Sequence, residues 1–392
     1  MADNTTTAAS LLAEIPSESL QSLLATVRRE SVSAGSTFIP ALDAHLSSIN
    51  SRRTTHDWSL NQGDVLEVQG PAASGKTHLL YHMLVICLMP RSYNGKELGG
   101  WGKAAVFFDT DGRLSISRLY TLLLSRMRRL IGPDGVNDSS VPLEDVAAQR
   151  LENLHIFRPT SSLQLAITLL HLPKYHASNP RLQDKEIGLL AIDSLSAFYW
   201  RDRYTLEQLR DAADASTQSV PPNPLYHALK ALQRFRTSHR PVILLANWGL
   251  NALAKPSATG EPASPFYRQH LYPFPAPFES HGADEAMQNI ENSQRRSTSV
   301  DARSDTSTGR AQRGTETTLP LHYHITLQPS PVDPFPASYS LADAISQEHM
   351  RAALVKKGEV RGLIRTPGDN SASEFTFRIG DDEVLVQPGE ET

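Results

Sequence analysis

The sequence predicts an α/β fold: a mostly parallel sheet flanked by helices. Three observations carry that reading. The stretch Gly70-Pro71-Ala72-Ala73-Ser74-Gly75-Lys76-Thr77 has the spacing G-x-x-x-x-G-K-T of a phosphate-binding loop. Nearly continuous apolar runs at 64–69, 104–109, 154–157, 188–193 and 242–247 alternate with helical periodicity at 114–131, 162–172 and 224–237. The fourth of these runs ends on Asp193-Ser194, the position where such a loop needs a second oxygen ligand.

Taken in order, the run 64–69 leads into the loop, and a helix follows it. Leu79, Leu80, Met83, Leu84, Cys87 and Leu88 fall at helical spacing until Pro90 closes the element. Strand, loop and helix is the order the motif requires. Gly70 and Gly75 let the backbone turn and aim its N–H groups into one concavity. Residues Gly70, Pro71, Ala72, Ala73, Ser74, Gly75, Lys76 and Thr77 are therefore the expected ATP-binding set. Lys76 supplies a point charge for the phosphates, and Thr77 with Asp193 holds Mg²⁺. The run 104–109 continues into Thr110 and Asp111, and Asp111 is the candidate base for an attacking water.

Composition narrows the classes. A chain of 392 residues exceeds the usual single domain, and its 26 prolines imply sizeable irregular parts. A net charge of −4 excludes a basic nucleic-acid coat. The single cysteine, Cys87, excludes intrachain disulfides and a zinc cluster, and its place in an apolar stripe makes it a buried structural thiol. Met1 to Ser10 lacks a signal pattern and no apolar run reaches the length of a membrane span, so a soluble intracellular protein without membrane contact is expected.

The domain expectation is a partly helical preamble at 1–59, an ATP-binding core at 60–254, a low-complexity and partly disordered insert at 255–318, and closing strands with a frayed end at 319–392. In the preamble, 11–15 and 20–24 suggest short amphipathic helices. In the insert, Pro265 to Phe278 interleaves aromatics with proline. In the last part, Leu321, Tyr323, Ile325 and Leu327 alternate with His322, His324 and Thr326, which reads as a half-buried strand with exposed histidines. Residues 359–364 and 375–386 read as the closing strands.

The order of these parts resembles the RecA-type recombinases and their eukaryotic paralogues. The residues that carry the resemblance are Gly63-Asp64-Val65-Leu66-Glu67, the phosphate loop, Leu80-Tyr81-His82, Phe108-Asp109-Thr110-Asp111 and the stretch Leu189 to Arg203; it covers about 60–250. It implies a RecA-like P-loop NTPase core and a nuclear protein of double-strand-break repair by homologous recombination. It also implies other recombinase paralogues as partners in a hetero-oligomer, and DNA association mainly within that complex. Two departures weaken turnover. Asp111 stands where active members carry Glu, drawing the carboxylate back by about 1.5 Å, and about 1 Å of misplacement costs on the order of a hundredfold. Trp248 stands where they carry a γ-phosphate-sensing glutamine, and its single indole donor does not replace an amide. At most a weak DNA-dependent ATPase is expected.

In such proteins the DNA-binding loops correspond here to 201–222 and 249–318. The first balances Arg201, Arg203 and Arg210 against Asp202, Glu207, Asp211 and Asp214, and is not a basic patch. The second offers aromatics with Arg268 and His270, then Arg295, Arg296, Arg303, Arg310 and Arg313, which suits single strands or, equally, packing on the domain. Phe38-Ile39-Pro40-Ala41 matches the F-x-x-A docking pattern, or Phe38 is a core residue leading into a helix. Two rivals remain: a scaffold that needs no nucleotide, and a small-molecule P-loop kinase.

Overall fold

The computed structural model describes residues 33–50, 59–132, 142–212, 223–253, 265–275, 277, 319–329, 335, 338–369 and 372–386. The amphipathic runs at 11–24 and the arginines at 295–313 lie outside the described residues.

Short strands β1 (Ser33–Gly35) and β2 (Leu60–Asn61) pair with each other, and helix α1 (Pro40–Asn50) runs between them. Then come β3 (Val65–Gly70), α2 (Lys76–Leu88), the hairpin β4 (Ser92–Tyr93) and β5 (Lys96–Glu97), and β6 (Ala104–Asp109). Next are α3 (Ile116–Ile131), α4 (Leu143–Leu151), β7 (Leu154–Phe157), α5 (Ser162–Ser178) and β8 (Ile187–Asp193). A 3₁₀ turn at Leu195–Phe198 leads into α6 (Tyr199–Ala212), α7 (Pro224–His239) and β9 (Val242–Trp248). The chain closes with β10 (Tyr323–Pro329), α8 (Leu341–Ser346), α9 (Glu348–Lys356), β11 (Glu359–Arg365), β12 (Ser373–Ile379) and β13 (Val384–Val386).

Nine strands form one sheet in the order β13-β12-β11-β10-β3-β9-β8-β6-β7. The six strands from β10 to β7 are parallel, and β11, β12 and β13 add antiparallel to one side. The five apolar runs all become strands. Strands β3, β6, β8 and β9 are buried on both faces and have no reason to alternate, which is why they read as continuous; β7, at the sheet edge, is only partly buried.

One face carries α2, α3 and the N-terminal α1. Leu66, Val68, Leu84, Phe107, Leu119 and Leu244 pack there, together with Val360, Ile364, Phe375 and Phe377 from the closing strands. Ile39, Leu42 and Leu46 bury α1 in the same core, and His45 Nδ1 meets Ser373 Oγ at 2.7 Å. Phe38 packs against that core, with the Arg126 guanidinium 5.4 Å from its ring centre, so it takes the core role here. The other face carries α5 and α7. The stripe Leu225, Leu229, Leu232 and Phe235 is buried there, as its spacing requires. Cys87 is fully buried, and burial pushes its thiol up, away from reactivity.

Three features differ from the sequence reading. Strand β10 is buried on both faces rather than half-buried: Tyr323, Ile325 and Leu327 join the core, and His324 and Thr326 are fully enclosed, with His324 on Glu67. The first half of 201–222 is helix α6 rather than loop. The polar gap after β10 contains α8, closed by a Ser340–Asp343 capping box, and α9. Among the described residues no helix is long and apolar enough to cross a membrane.

Candidate functional site

The central strand β3 ends at Gly70, and its neighbour β9 ends at Trp248 in register with it. The chain leaves β3 for the far strands β6 and β7 and returns through β8 and β9. The crevice at the carboxyl ends of these strands is where open α/β sheets bind ligands. The phosphate loop lies there.

Two glycines are required by this geometry. A Cβ on Gly70 would come within 2.5 Å of Ser74 Oγ and 2.6 Å of the Leu327 carbonyl. Gly75 caps α2 in the left-handed region at φ 88°, open to glycine at little cost. The first turn of α2 therefore presents unpaired N–H groups and a positive dipole end toward the crevice. Lys76 Nζ donates to the carbonyls of Gly70 at 2.9 Å and Pro71 at 2.6 Å, with Ser74 Oγ at 3.4 Å. Burial pulls the Lys76 ammonium below its ordinary range, while Asp193 and Asp111 hold it up.

Thr77 Oγ1 donates to Asp193 Oδ2 at 2.6 Å, closing 116 residues of sequence separation. Asp193 is 7 % exposed, and burial raises its carboxyl above the usual carboxylate range; the Thr77 hydrogen bond lowers it, and Asp111 raises it further. The hydroxyl and carboxylate form a hard oxygen pair of the kind Mg²⁺ takes. The residues present fit a phosphate–Mg²⁺ group.

Asp111 reaches the same cluster. Its N–H and that of Thr110 donate to the Asp193 carbonyl at 3.3 and 3.0 Å, and Thr110 Oγ1 donates to the Ser194 carbonyl at 2.7 Å. Desolvation raises the Asp111 carboxyl, and Arg113 pulls it down. Its neighbour Asp109 is structural: Oδ1 accepts the Arg113 N–H at 2.9 Å, and Oδ2 pairs with Arg158 Nε at 3.1 Å. Lys76, Thr77, Asp193 and Asp111 are thus brought together.

Behind the loop lies a group that sequence reasoning missed. Glu67, fully buried in β3, accepts from Asn247 Nδ2 at 2.6 Å and Gln269 Nε2 at 2.7 Å on one oxygen, and from His324 Nδ1 at 2.9 Å on the other. His324 Nε2 meets Thr326 Oγ1 at 3.0 Å. Burial lowers the His324 ring, Glu67 raises it and Arg365 lowers it again. Arg365, 1 % exposed, lies 3.8 Å from the centre of the Phe266 ring; burial pulls it down to about 9, and Glu67 holds it up. One signal was available: a glutamate inside an otherwise apolar central run needs partners.

Among the described residues of the candidate DNA segments, several are engaged within the fold. Arg203 pairs with Glu207 at 2.9 Å, and an Arg201 N–H donates to the Thr160 carbonyl at 2.6 Å. Leu271 and Phe274 are buried in the second core. Tyr272 is 80 % exposed.

A parallel sheet with a phosphate loop on its central strand and an aspartate at the end of the strand two places away is a RecA-like core. The comparisons agree. The chain is 29% identical over 202 residues to DNA repair protein XRCC2 of Mus musculus, covering 52% of this chain and 62% of the mouse protein. It is 26% identical over 207 residues to the XRCC2 homolog of Arabidopsis thaliana, covering 48% of this chain and 55% of that protein. It is 28% identical over 137 residues to DNA repair and recombination protein RadA of Methanoculleus marisnigri, covering 34% of this chain and 36% of that one. These relatives support a RecA-type recombinase paralogue close to XRCC2. The chain spans little more than half the length of the two XRCC2 proteins it matches. No protein-family model matches it.

Proposed function

We propose that this protein is an ATP-binding RecA-like paralogue that supports double-strand-break repair by homologous recombination in the nucleus. It does so as one subunit of a hetero-oligomer of paralogues on DNA, with slow or absent hydrolysis. The observation that carries the reading is the 2.6 Å contact between Thr77 and Asp193 beside the Lys76 ammonium. Gly70 to Thr77 would hold the phosphates, with Lys76 exchanging its loop carbonyls for phosphate oxygens. Thr77 and Asp193 would hold Mg²⁺, which would add positive charge beside the buried carboxylate.

The same geometry argues against fast turnover. Asp111 is one bond shorter than the expected glutamate. The one side-chain amide at the end of β9, that of Asn247, turns away from the crevice to Glu67. One observation favours a nucleotide-independent scaffold: Lys76 is satisfied by the carbonyls of its own loop, which holds the loop's shape without phosphate.

Lys76→Ala separates the two readings. Binding of a fluorescent ATP analogue is expected to weaken at least tenfold, about the loss of one charge-assisted contact. Rescue of DNA-damage sensitivity is expected to fall with it. Full rescue by a variant that cannot bind ATP would leave the scaffold.

A further inference from the structure

The segment Pro265–Pro275 follows β9 and returns across the sheet face behind the phosphate loop. It is seated there by contacts from five directions. The Leu253 N–H donates to the Phe266 carbonyl at 2.8 Å, and the Arg268 N–H to the Asn251 carbonyl at 2.7 Å. Gln328 Nε2 donates to the Pro265 carbonyl at 3.2 Å, and Asn223 Nδ2 to the Tyr272 carbonyl at 2.7 Å. Phe266 covers Arg365, and His270 meets the Tyr199 ring edge-on at 4.8 Å.

The deepest of these contacts is Gln269. Both ends of its amide are used: Nε2 donates to Glu67, and Oε1 accepts the N–H groups of His270 and Leu271, each at 3.0 Å. Glu67 in turn holds Asn247, whose Oδ1 lies 3.4 Å from Ser196 Oγ, and Ser196 Oγ accepts the Trp248 N–H at 3.0 Å. Ser196 lies in the 3₁₀ turn that follows Asp193. One buried carboxylate therefore ties together the returning segment, the end of β9 and the aspartate turn. Among the described residues, none of the side chains that donate to Glu67 belongs to the loop Gly70–Thr77.

We propose that Glu67 is a positioning residue that fastens Pro265–Pro275 to the unit carrying Asp193 and Trp248, so that the segment stays docked whether or not nucleotide is bound. The part concerning nucleotide rests on the ATP-binding reading above; the fastening does not. The site is a permanent latch rather than a switch.

Arg268 provides the readout, since its side chain is exposed while its N–H is held. Limited trypsin digestion of the full chain, followed by mass spectrometry, compares cleavage after Arg268 with cleavage after the distant, exposed Arg91. In Gln269→Ala and Glu67→Gln the ratio is expected to rise about tenfold, the cost of one charge-assisted hydrogen bond to a buried acceptor. Global loosening would raise both cleavages and leave the ratio unchanged. If Glu67→Gln does not fold, the half-buried Gln269→Ala carries the same comparison. Wild-type ratios in both would overturn the fastening. In wild type, magnesium with ATPγS is expected to leave the ratio unchanged, and a nucleotide-dependent rise or fall would overturn the permanent docking. Binding of the nucleotide is followed separately by a fluorescent analogue. Absence of binding there refutes the ATP reading, while the variants still decide the fastening.

Discussion

Two buried carboxylates, Glu67 and Asp193, sit on neighbouring parts of one sheet and have opposite surroundings. Glu67 is saturated: three donors from three separate stretches of chain fill its oxygens, and Arg365 supplies nearby positive charge. Asp193 has one hydroxyl partner; burial raises its carboxyl, Asp111 and Asp109 add to the rise, and Lys76 opposes it. The difference separates a structural acid from one awaiting a cation. A buried carboxylate whose hydrogen bonds are complete stabilises the fold; one left short of donors stores a cost that an incoming cation removes.

The comparison breaks most readily at Glu67. Glu67→Ala leaves Asn247, Gln269 and His324 without their acceptor inside the sheet. A loss of about 3–5 kcal/mol is expected, since each buried donor left without its acceptor costs about 1–3 kcal/mol. A denaturant melt that moved by less than a third of that would place Glu67 on a par with ordinary polar surface.

Acid provides the next largest effect. His82 is buried and donates to the Thr37 carbonyl at 2.8 Å, and burial pushes its ring down to about 4. The folded value lies below the unfolded one. The stability contributed by the neutral ring is therefore complete above about pH 6.5 and is lost as pH falls toward 4, up to about 3 kcal/mol in all. His324 acts in the same direction. His82→Gln is expected to flatten the acid limb of a stability–pH curve, and an unchanged limb would remove His82 from the account.

The smallest effect tests the other acid. The Asp193 carboxyl is raised, so its favourable contribution is present below the unfolded carboxylate value and is lost as pH rises through the folded one. At neutral pH without a cation it is a cost. Asp193→Asn is expected to raise the melting temperature of the ligand-free protein by on the order of 1 kcal/mol of stability. It is also expected to abolish any shift on adding Mg²⁺ with nucleotide. A ligand-free melting temperature that fell would put Asp193 in the same class as Glu67.

Much of the fold was legible along the chain. Strands β3, β6, β7, β8 and β9 lie within a residue or two of their apolar runs, because a strand covered on both faces, as all of these but β7 are, must be apolar throughout. The phosphate loop was legible for a similar reason, since its glycines, lysine and threonine act within eight residues. Strand β10 was misread at its faces: Tyr323, Ile325 and Leu327 alternate with His322, His324 and Thr326 as an exposed strand would. Here the polar side faces Glu67 instead of water. Aromatics paired with arginine in the returning segment suit single strands or packing on the domain, and in the structure the Phe266 face meets Arg365.

By itself the sequence determined the parallel α/β core, the loop from Gly70 to Thr77 and the aspartate ending β8. These rest on local backbone geometry and on burial patterns that repeat every two or 3.6 residues. Only the tertiary structure decided which acid is complete and which is waiting. The partners of Glu67 lie 180, 202 and 257 residues away along the chain, and no local pattern announces donors that a fold must bring together.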